Sequence, residues 1–168
     1  KNAIIREFTA TEMAGSLSVI LTDKTGTLTQ GILSVQNMFL GNGRDYKVTG
    51  QGYRLEGSMY SGGEEADPER DRILQKSLLI AGFCNDASIN AMEGSEEPGV
   101  SGDPTEASLL VLYEKSGVKD KEWARAVTVL DDLPFNSDQK FRASLVETGD
   151  ERREIFAVGA PEQIIALS

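Results

Sequence analysis

The chain has 168 residues, the size of one domain with its own core plus a short appendage. Its 39% hydrophobic and 26% charged residues are typical of a folded globular protein and exclude an extensively disordered chain. The net charge of −10 argues against nucleic acid as a partner, because phosphate backbones are bound through clustered Lys and Arg.

The residue types that are rare here limit the chemistry further. The sequence contains one cysteine, Cys84, and no histidine, so it predicts neither an internal disulfide nor the usual zinc ligand sets. Cys84 follows the apolar residues 78–83 and is expected to pack in the core. No apolar run approaches the roughly 20 residues of a membrane-spanning helix, and no secretory signal is recognisable, so a cytosolic location is expected.

The first predicted elements are strands. Residues 18–22 are short, apolar and β-branched, and predict a buried strand that ends at Asp23. Residues 32–40 predict a second strand. Residues 41–63 are rich in glycine and polar residues, which indicates hairpins with wide turns.

Two helices are predicted in the middle of the chain. Pro68 begins a segment through Phe83 in which apolar residues recur at helical spacing. Residues 85–102 lack periodicity and are rich in Asn, Ser, Gly and Glu, so they predict a surface loop. The second helix has Asp103 as its N-cap and ends at Gly117.

The C-terminal part predicts three strands and a helix. The strands are residues 126–130, 141–147 and 154–158, with a turn at residues 148–150, and the helix begins near Pro161. Together the elements predict an α/β fold of the α+β type: an antiparallel sheet of about six strands with flanking helices.

The segment from Asp23 to Thr29, Asp-Lys-Thr-Gly-Thr-Leu-Thr, carries recognisable chemistry. A carboxylate that follows a buried strand and precedes a Gly-containing loop can attack phosphorus and hold the phosphoryl group as an acyl phosphate. Asp23 and the Thr25 carbonyl are suitable magnesium ligands, and the hydroxyls of Thr25 and Thr27 suit phosphate oxygens. The alternative interpretation is an ordinary turn that contains an aspartate.

These seven residues match without a gap the phosphorylation signature of P-type ATPases, and the chain resembles the type II cation-transporting members, calcium pumps in particular. The resemblance implies that Asp23 is the phosphoryl acceptor and that Lys24, Thr25 and Thr27 belong to its catalytic surroundings. It also implies magnesium bound at Asp23 and Thr25.

The resemblance also implies a domain organisation. Residues 1–33 correspond to the start of a haloacid-dehalogenase-like phosphorylation domain, present as a stub. Residues 34–168 correspond to a nucleotide-binding domain whose C-terminal part is missing. Without neighbouring strands, the apolar residues 19–21 of the stub are expected to be exposed.

Four further segments resemble the nucleotide-binding domain of the same family: residues 48–53, 102–110, 135–141 and 159–162. The resemblance implies that Phe135 stacks on adenine and that Glu106 accepts from the adenine amino group. Lys140 would lie near the phosphates, while Gly159 and Ala160 would allow close approach of the backbone. Taken singly, Phe135 could be a core residue, Lys140 a solvated side chain and Glu106 half of a capping box.

One position departs from the family pattern. Val158 stands where these proteins usually have lysine, immediately before the Gly-Ala-Pro-Glu segment. A lost charged hydrogen bond lowers affinity about ten- to a hundredfold, so we expect weak ATP binding unless Lys47 or Lys76 compensates.

The alternatives are a haloacid-dehalogenase-type phosphatase and a non-catalytic nucleotide-binding module. Phosphatases of that superfamily need a second aspartate two residues after the nucleophile, where this chain has Thr25. The pump interpretation implies a cytoplasmic domain of an integral membrane protein. Its partners would be ATP and the rest of the polypeptide: the phosphorylation and actuator domains and the transmembrane helices. The isolated chain is predicted to be inactive.

Overall fold

The computed structural model describes three stretches of the chain, residues 8–90, 98–149 and 151–168. Part of the predicted surface loop and Asp150 of the predicted turn lie outside the described residues. Within these stretches, none of the helices has the length and apolar character needed to cross a membrane. The chain divides into two compact units, residues 1–31 and 32–168.

The described part of the first unit, residues 8–31, contains one helix, α1 (Phe8–Gly15). Residues 16–31 contain no helix or strand, so the predicted strand at residues 18–22 is wrong. A strand needs hydrogen-bonding partners on a neighbouring strand, and the described residues of this unit include none. The apolar side chains of residues 19–21 are exposed as expected for a stub, with Leu21 at 94%.

The second unit begins with a four-stranded antiparallel sheet. Its strands, in spatial order, are β1 (Asn37–Phe39), β2 (Asp45–Val48), β3 (Met59–Ser61) and β4 (Glu64–Glu65). The hairpins predicted in residues 41–63 are confirmed. The strand predicted at residues 32–40 is reduced to β1, because those three residues are the ones that pair with β2. Alternation along β2 buries Tyr46 and Val48.

Helix α2 (Arg72–Phe83) begins four residues later than predicted. Asp71, not the region of Pro68, provides its N-cap: the Asp71 carboxylate accepts hydrogen bonds from the backbone N–H groups of Ile73 and Leu74, both at 3.1 Å. The predicted apolar stripe is confirmed, and its buried members are Leu74, Leu78, Leu79 and Ala81.

The segment predicted as a loop contains a short antiparallel pair, β5 (Ser88–Asn90) and β6 (Gly99–Ser101). The prediction of a purely irregular segment is therefore wrong at its two ends. The pairing places Ile89 opposite Val100, and the hydroxyls of the Ser88 and Ser101 side chains share a hydrogen bond of 2.7 Å. These contacts are too few to produce a periodic pattern in the sequence.

Helix α3 (Pro104–Lys115) is confirmed as predicted. The Asp103 side chain caps it by accepting from the Thr105 N–H at 2.8 Å. After it, Gly117 adopts a φ of 68°, a left-handed conformation that suits glycine. A 3-10 turn (Val118–Asp120) and helix α4 (Glu122–Arg125) follow.

The last sheet has three antiparallel strands in chain order, β7 (Thr128–Asn136), β8 (Phe141–Glu147) and β9 (Arg153–Gly159), followed by helix α5 (Pro161–Leu167). The three strands and the helix confirm the prediction, with β7 longer than expected. The α+β class with antiparallel pairing is confirmed. The described residues contain three separate sheets, of four, two and three strands, instead of one sheet of about six.

The core lies where α2 packs on α3 and on the inner face of β9. Gly82 makes the helix contact possible, because a Cβ there would lie 2.5 Å from the Tyr113 ring. Cys84 is fully buried, as predicted, and burial raises the pKa of its thiol. It is a packing residue among Leu78, Phe156 and their neighbours.

Candidate functional site

The segment 23–29 forms a compact turn in the first unit. The carbonyl oxygen of Lys24 accepts hydrogen bonds from the N–H groups of Leu28 and Thr29, both at 3.0 Å. The Gly26 N–H donates to the Thr29 hydroxyl at 3.3 Å, and Gly26 has a φ of 77°. The turn therefore has local backbone reasons to form, even though the strand predicted before it does not.

The four catalytic candidates of this turn are Asp23, Lys24, Thr25 and Thr27, and all four are exposed. The carboxylate of Asp23 is thus accessible to a phosphate donor. The described residues contain no group of three His, Cys, Asp or Glu side chains able to hold a metal ion. Whether Asp23 and Thr25 bind magnesium therefore stays a prediction, and the described residues bring no group of such carboxylates together around them.

The remaining candidates lie in the second unit, at one end of the β7–β8–β9 sheet. The register places Asn136 opposite Phe141, and Phe141 opposite Gly159. Phe135 precedes this row on β7, and the residue is 58% exposed. An exposed aromatic residue at a strand end offers a ring face for stacking. The alternative that Phe135 is a core residue is therefore wrong.

Lys140 closes the turn between β7 and β8. Its N–H donates to the Asn136 carbonyl at 2.6 Å, and its own carbonyl accepts from the Ala160 N–H at 2.9 Å. The Lys140 Nζ lies 3.7 Å from the Glu162 Oε1, and both side chains are more than half exposed. Such an ion pair contributes little, so the ammonium group of Lys140 remains available to an anion.

Gly159 has a structural role that the sequence did not reveal. A Cβ at this position would clash with the Phe141 Cβ and would lie 2.5 Å from the Lys140 carbonyl oxygen. The space beside Gly159 is therefore filled by the neighbouring strand. Glycine permits the close pairing that brings Lys140 to Ala160.

Glu106, in the first turn of α3, turns toward the sheet. Its Oε1 accepts from the Arg142 Nη1 at 2.7 Å, and its Oε2 accepts from the Asp86 backbone N–H at 3.0 Å. Asp103 caps the helix, but the Glu106 carboxylate is committed to these two donors. Glu106 thereby joins α3 to the end of the sheet that holds the other candidates.

Arg142 is a site residue that the sequence reasoning missed. It lies on β8, its side chain is 2% exposed, and its Nη2 donates to Asp86 at 3.0 Å and to Asp132 at 2.8 Å. The Ser144 hydroxyl donates to the same Asp132 carboxylate. Burial acts to lower the pKa of Arg142, but hydrogen bonds to the three carboxylates outweigh it and raise that pKa further.

A signal for Arg142 was present in the alternation of β8. Arg142, Ser144 and Val146 occupy alternate positions and all three point into the interior. A charged residue in phase with the buried face of a strand requires paired carboxylates. The sequence could not say which carboxylates, since they come from three separate segments.

The structure also locates the position that departs from the family pattern. Val158 on β9 lies directly opposite Arg142 on β8, and it packs against the core. Of the two lysines considered as replacements, Lys76 pairs with Glu154 and lies 5.4 Å from the centre of the Phe156 ring. Lys47 lies on β2 in the first sheet.

Comparisons with known proteins identify the family to which the chain belongs. The family described as "P-type ATPase, cytoplasmic domain N" matches residues 74–168, which include all five nucleotide candidates. A calcium-transporting ATPase of Bacillus subtilis is 33% identical over 100% of this chain. The cation-transporting ATPase pma1 of Synechocystis is 36% identical over 98% of it.

A human relative, calcium-transporting ATPase type 2C member 1, is 33% identical over 98% of the chain. These matches extend over the segment that contains Asp23, which the family match does not reach. The chain spans 17% to 18% of the length of these relatives.

Proposed function

The chain belongs to the P-type ATPase cytoplasmic domain N family, and we propose that it is the part of a cation-transporting ATPase that binds ATP and carries the phosphoryl acceptor, Asp23. Calcium is the ion that the names of the Bacillus subtilis and human relatives favour. The domain boundary would lie between residues 33 and 34. The partners would be the remaining phosphorylation domain, the actuator domain and transmembrane helices of the same polypeptide, with this chain on the cytoplasmic side.

One observation carries the nucleotide part of the proposal. Residues from separate segments of the sequence come together at one end of the β7–β8–β9 sheet: Glu106, Phe135, Lys140, Gly159 and Ala160. An aromatic face, an acceptor and a cation are the groups that adenine, its amino group and a phosphate respectively require.

Charge orients the nucleotide within this site. The carboxylates of Asp86, Glu106 and Asp132 surround the single guanidinium of Arg142, so the cluster is acidic. A triphosphate is repelled from it and is attracted to Lys140. The base therefore faces Glu106 and the phosphates face Lys140.

The phosphoryl step uses Asp23. One oxygen of its carboxylate attacks the terminal phosphorus of ATP, the bond from that phosphorus to the bridging oxygen breaks, and ADP leaves with the bonding electron pair. Thr25 has no carboxylate to activate water, so the aspartyl phosphate is expected to persist. This persistence favours a pump over a phosphatase. Magnesium would offset the negative charge, with further ligands from outside the described residues.

Titration calorimetry with ATP tests the nucleotide site. We expect binding weaker than the low-micromolar range, because Val158 offers no charge. Phe135→Ala should weaken it about 5- to 150-fold through the loss of base stacking. Phe39→Ala is the matched control, since Phe39 is also an exposed aromatic residue on a strand but lies in the first sheet.

Two results would contradict the proposal. ATP could fail to bind even at millimolar concentration, or Phe39→Ala could weaken binding as much as Phe135→Ala does. A non-catalytic nucleotide-binding module would show the expected binding, but the longer protein would incorporate no phosphate at Asp23.

A further inference from the structure

The cluster around Arg142 connects three segments at the base end of the proposed site. Arg142 contacts Asp86 after α2, Glu106 on α3 and Asp132 on β7. Its side chain is 2% exposed and that of Glu106 is 15% exposed, so both are largely buried and the Glu106 side chain keeps a small accessible surface. The pair differs from an ion pair on the protein surface, because burial prevents both side chains from reorienting.

We propose that Arg142 is a positioning residue that sets the nucleobase preference of the site. It holds Glu106 as a fixed acceptor that receives a hydrogen bond from the adenine amino group and repels the guanine carbonyl. The inference rests on the proposed nucleotide function and adds to it the residue that determines which base is accepted.

The orientation of Glu106 follows from two donors at its two oxygens. Oε1 is held by the Arg142 guanidinium at 2.7 Å, and Oε2 is held by the Asp86 backbone N–H at 3.0 Å. A carboxylate has about four acceptor positions, so each oxygen retains room for one more donor. The plane of the carboxylate and the direction of its open positions are therefore set before any ligand arrives.

The chemistry of the two purines explains why orientation matters. Adenine has an amino donor at position 6, whereas guanine has a carbonyl oxygen there and donors at positions 1 and 2. A mobile carboxylate can turn to the guanine donors, and a fixed one aimed at position 6 cannot. An acceptor that faces another acceptor in a water-poor site is strongly unfavourable, so fixing Glu106 favours adenine.

The cluster also explains why lysine could not replace arginine. The guanidinium contacts Glu106 with one terminal nitrogen and two aspartates with the other. This forked pattern requires a planar group with several donors, and an ammonium group is a point charge on a flexible stem. Arg142→Lys thus keeps the charge and removes the orientation.

The test measures ATP and GTP affinities by calorimetry for the 168-residue chain and its Arg142→Lys variant. We expect the wild-type chain to prefer ATP at least tenfold. In Arg142→Lys the preference should fall to about twofold, with most of the change in ATP affinity. Arg125→Lys is the matched control, because Arg125 makes an exposed ion pair with Asp120, and its preference should equal that of the wild type.

Thermal melting shows whether Arg142→Lys folds. If it does not fold, a second variant provides the test. Glu106→Gln preserves the shape of the side chain but replaces one acceptor oxygen by a donor, so the ATP preference should again collapse. If ATP and GTP weaken equally in Arg142→Lys, or if Glu106→Gln keeps the full preference, the role of Arg142 is overturned and nucleotide binding stands. If the wild type binds neither nucleotide, the proposed function fails and this inference fails with it.

Discussion

Arg142 occupies an interior position on β8 because three carboxylates reach it from separate segments. A buried charge of this kind is costly to bring out of water, and the pairing offsets that cost without producing a large net gain. Removing Glu106 is more serious, since it leaves the buried guanidinium of Arg142 with fewer partners. The cluster is therefore better understood as a device that orients side chains than as a source of stability.

Gly159→Ala tests a second residue whose role depends on its neighbours. The added Cβ would clash with the Phe141 Cβ on the paired strand β8 and with the carbonyl of Lys140 in the turn before it. We expect the free energy of unfolding to fall by about 1–3 kcal/mol or more, measured by urea denaturation, with weaker ATP binding.

Gly41→Ala is the control for this substitution. A Cβ at Gly41 meets nothing within 4 Å, and its φ is not in the left-handed region. The change in unfolding free energy should stay within about 0.5 kcal/mol. Equal effects of the two substitutions would show that the clash at Gly159 is relieved by movement of the strands.

Helix α2 begins where Asp71 provides its cap, and this residue links the helix to the first sheet. Its carboxylate accepts from the N–H groups of Ile73 and Leu74, from the hydroxyl of the buried Tyr46 and from Arg44. The hydrogen bond from Tyr46 is the main reason that the pKa of Asp71 is lowered, and burial opposes it. The start of the helix is thus decided by tertiary contacts as well as by local sequence.

Asp71→Ala should reduce the unfolding free energy at neutral pH by about 1–3 kcal/mol, through loss of the cap and of the partner of Tyr46. Because the folded-state pKa is lower than the unfolded value, the contribution is present above about pH 4 and is lost as pH falls through the folded pKa. Denaturation at pH 7 and pH 3 measures this, and the difference between wild type and variant should shrink at pH 3. Asp45→Ala, at an exposed position on β2, is the control for the loss of one carboxylate, and a difference for Asp71→Ala that is the same at both pH values would contradict the assignment.

The proposed phosphoryl acceptor, Asp23, and the candidate nucleotide site lie in two separate compact units of the chain. Among residues 8–22, which the structure describes, no strand precedes the turn that contains Asp23, and the described residues do not complete a metal site. Phosphoryl transfer requires the acceptor, the metal and the phosphates to be positioned together. This positioning provides much of the acceleration of the reaction by an enzyme.

The isolated chain should therefore bind ATP without turnover. Phosphate release measured with excess ATP and magnesium should stay at the uncatalysed level, and Asp23→Asn should not change it. Asp45→Asn serves as a control for the loss of one exposed carboxylate. Steady release that Asp23→Asn abolishes and Asp45→Asn preserves would refute the prediction, because the chain would then hold a complete catalytic site.

The local sequence was sufficient to predict the helices α3 and α5 and the strands β8 and β9. Asp103 and Gly117 mark the ends of α3 through capping chemistry that involves only neighbouring residues. Buried and exposed side chains alternate along β8 because one face of the strand is buried. This two-residue period can be recognised in the sequence without knowledge of the partner strand. The candidate residues Asp23, Glu106, Phe135 and Lys140 could likewise be named from motifs, because each motif lies in one continuous segment.

Tertiary structure decided the features that depend on distant partners. Residues 18–22 have the composition of a strand but form none, since strand formation needs a hydrogen-bonding neighbour. Arg142 acquires its role from carboxylates that are 10, 36 and 56 residues away in the chain. Such contacts depend on how the elements pack, and no local pattern encodes the distance between a side chain on α3 and one on β8.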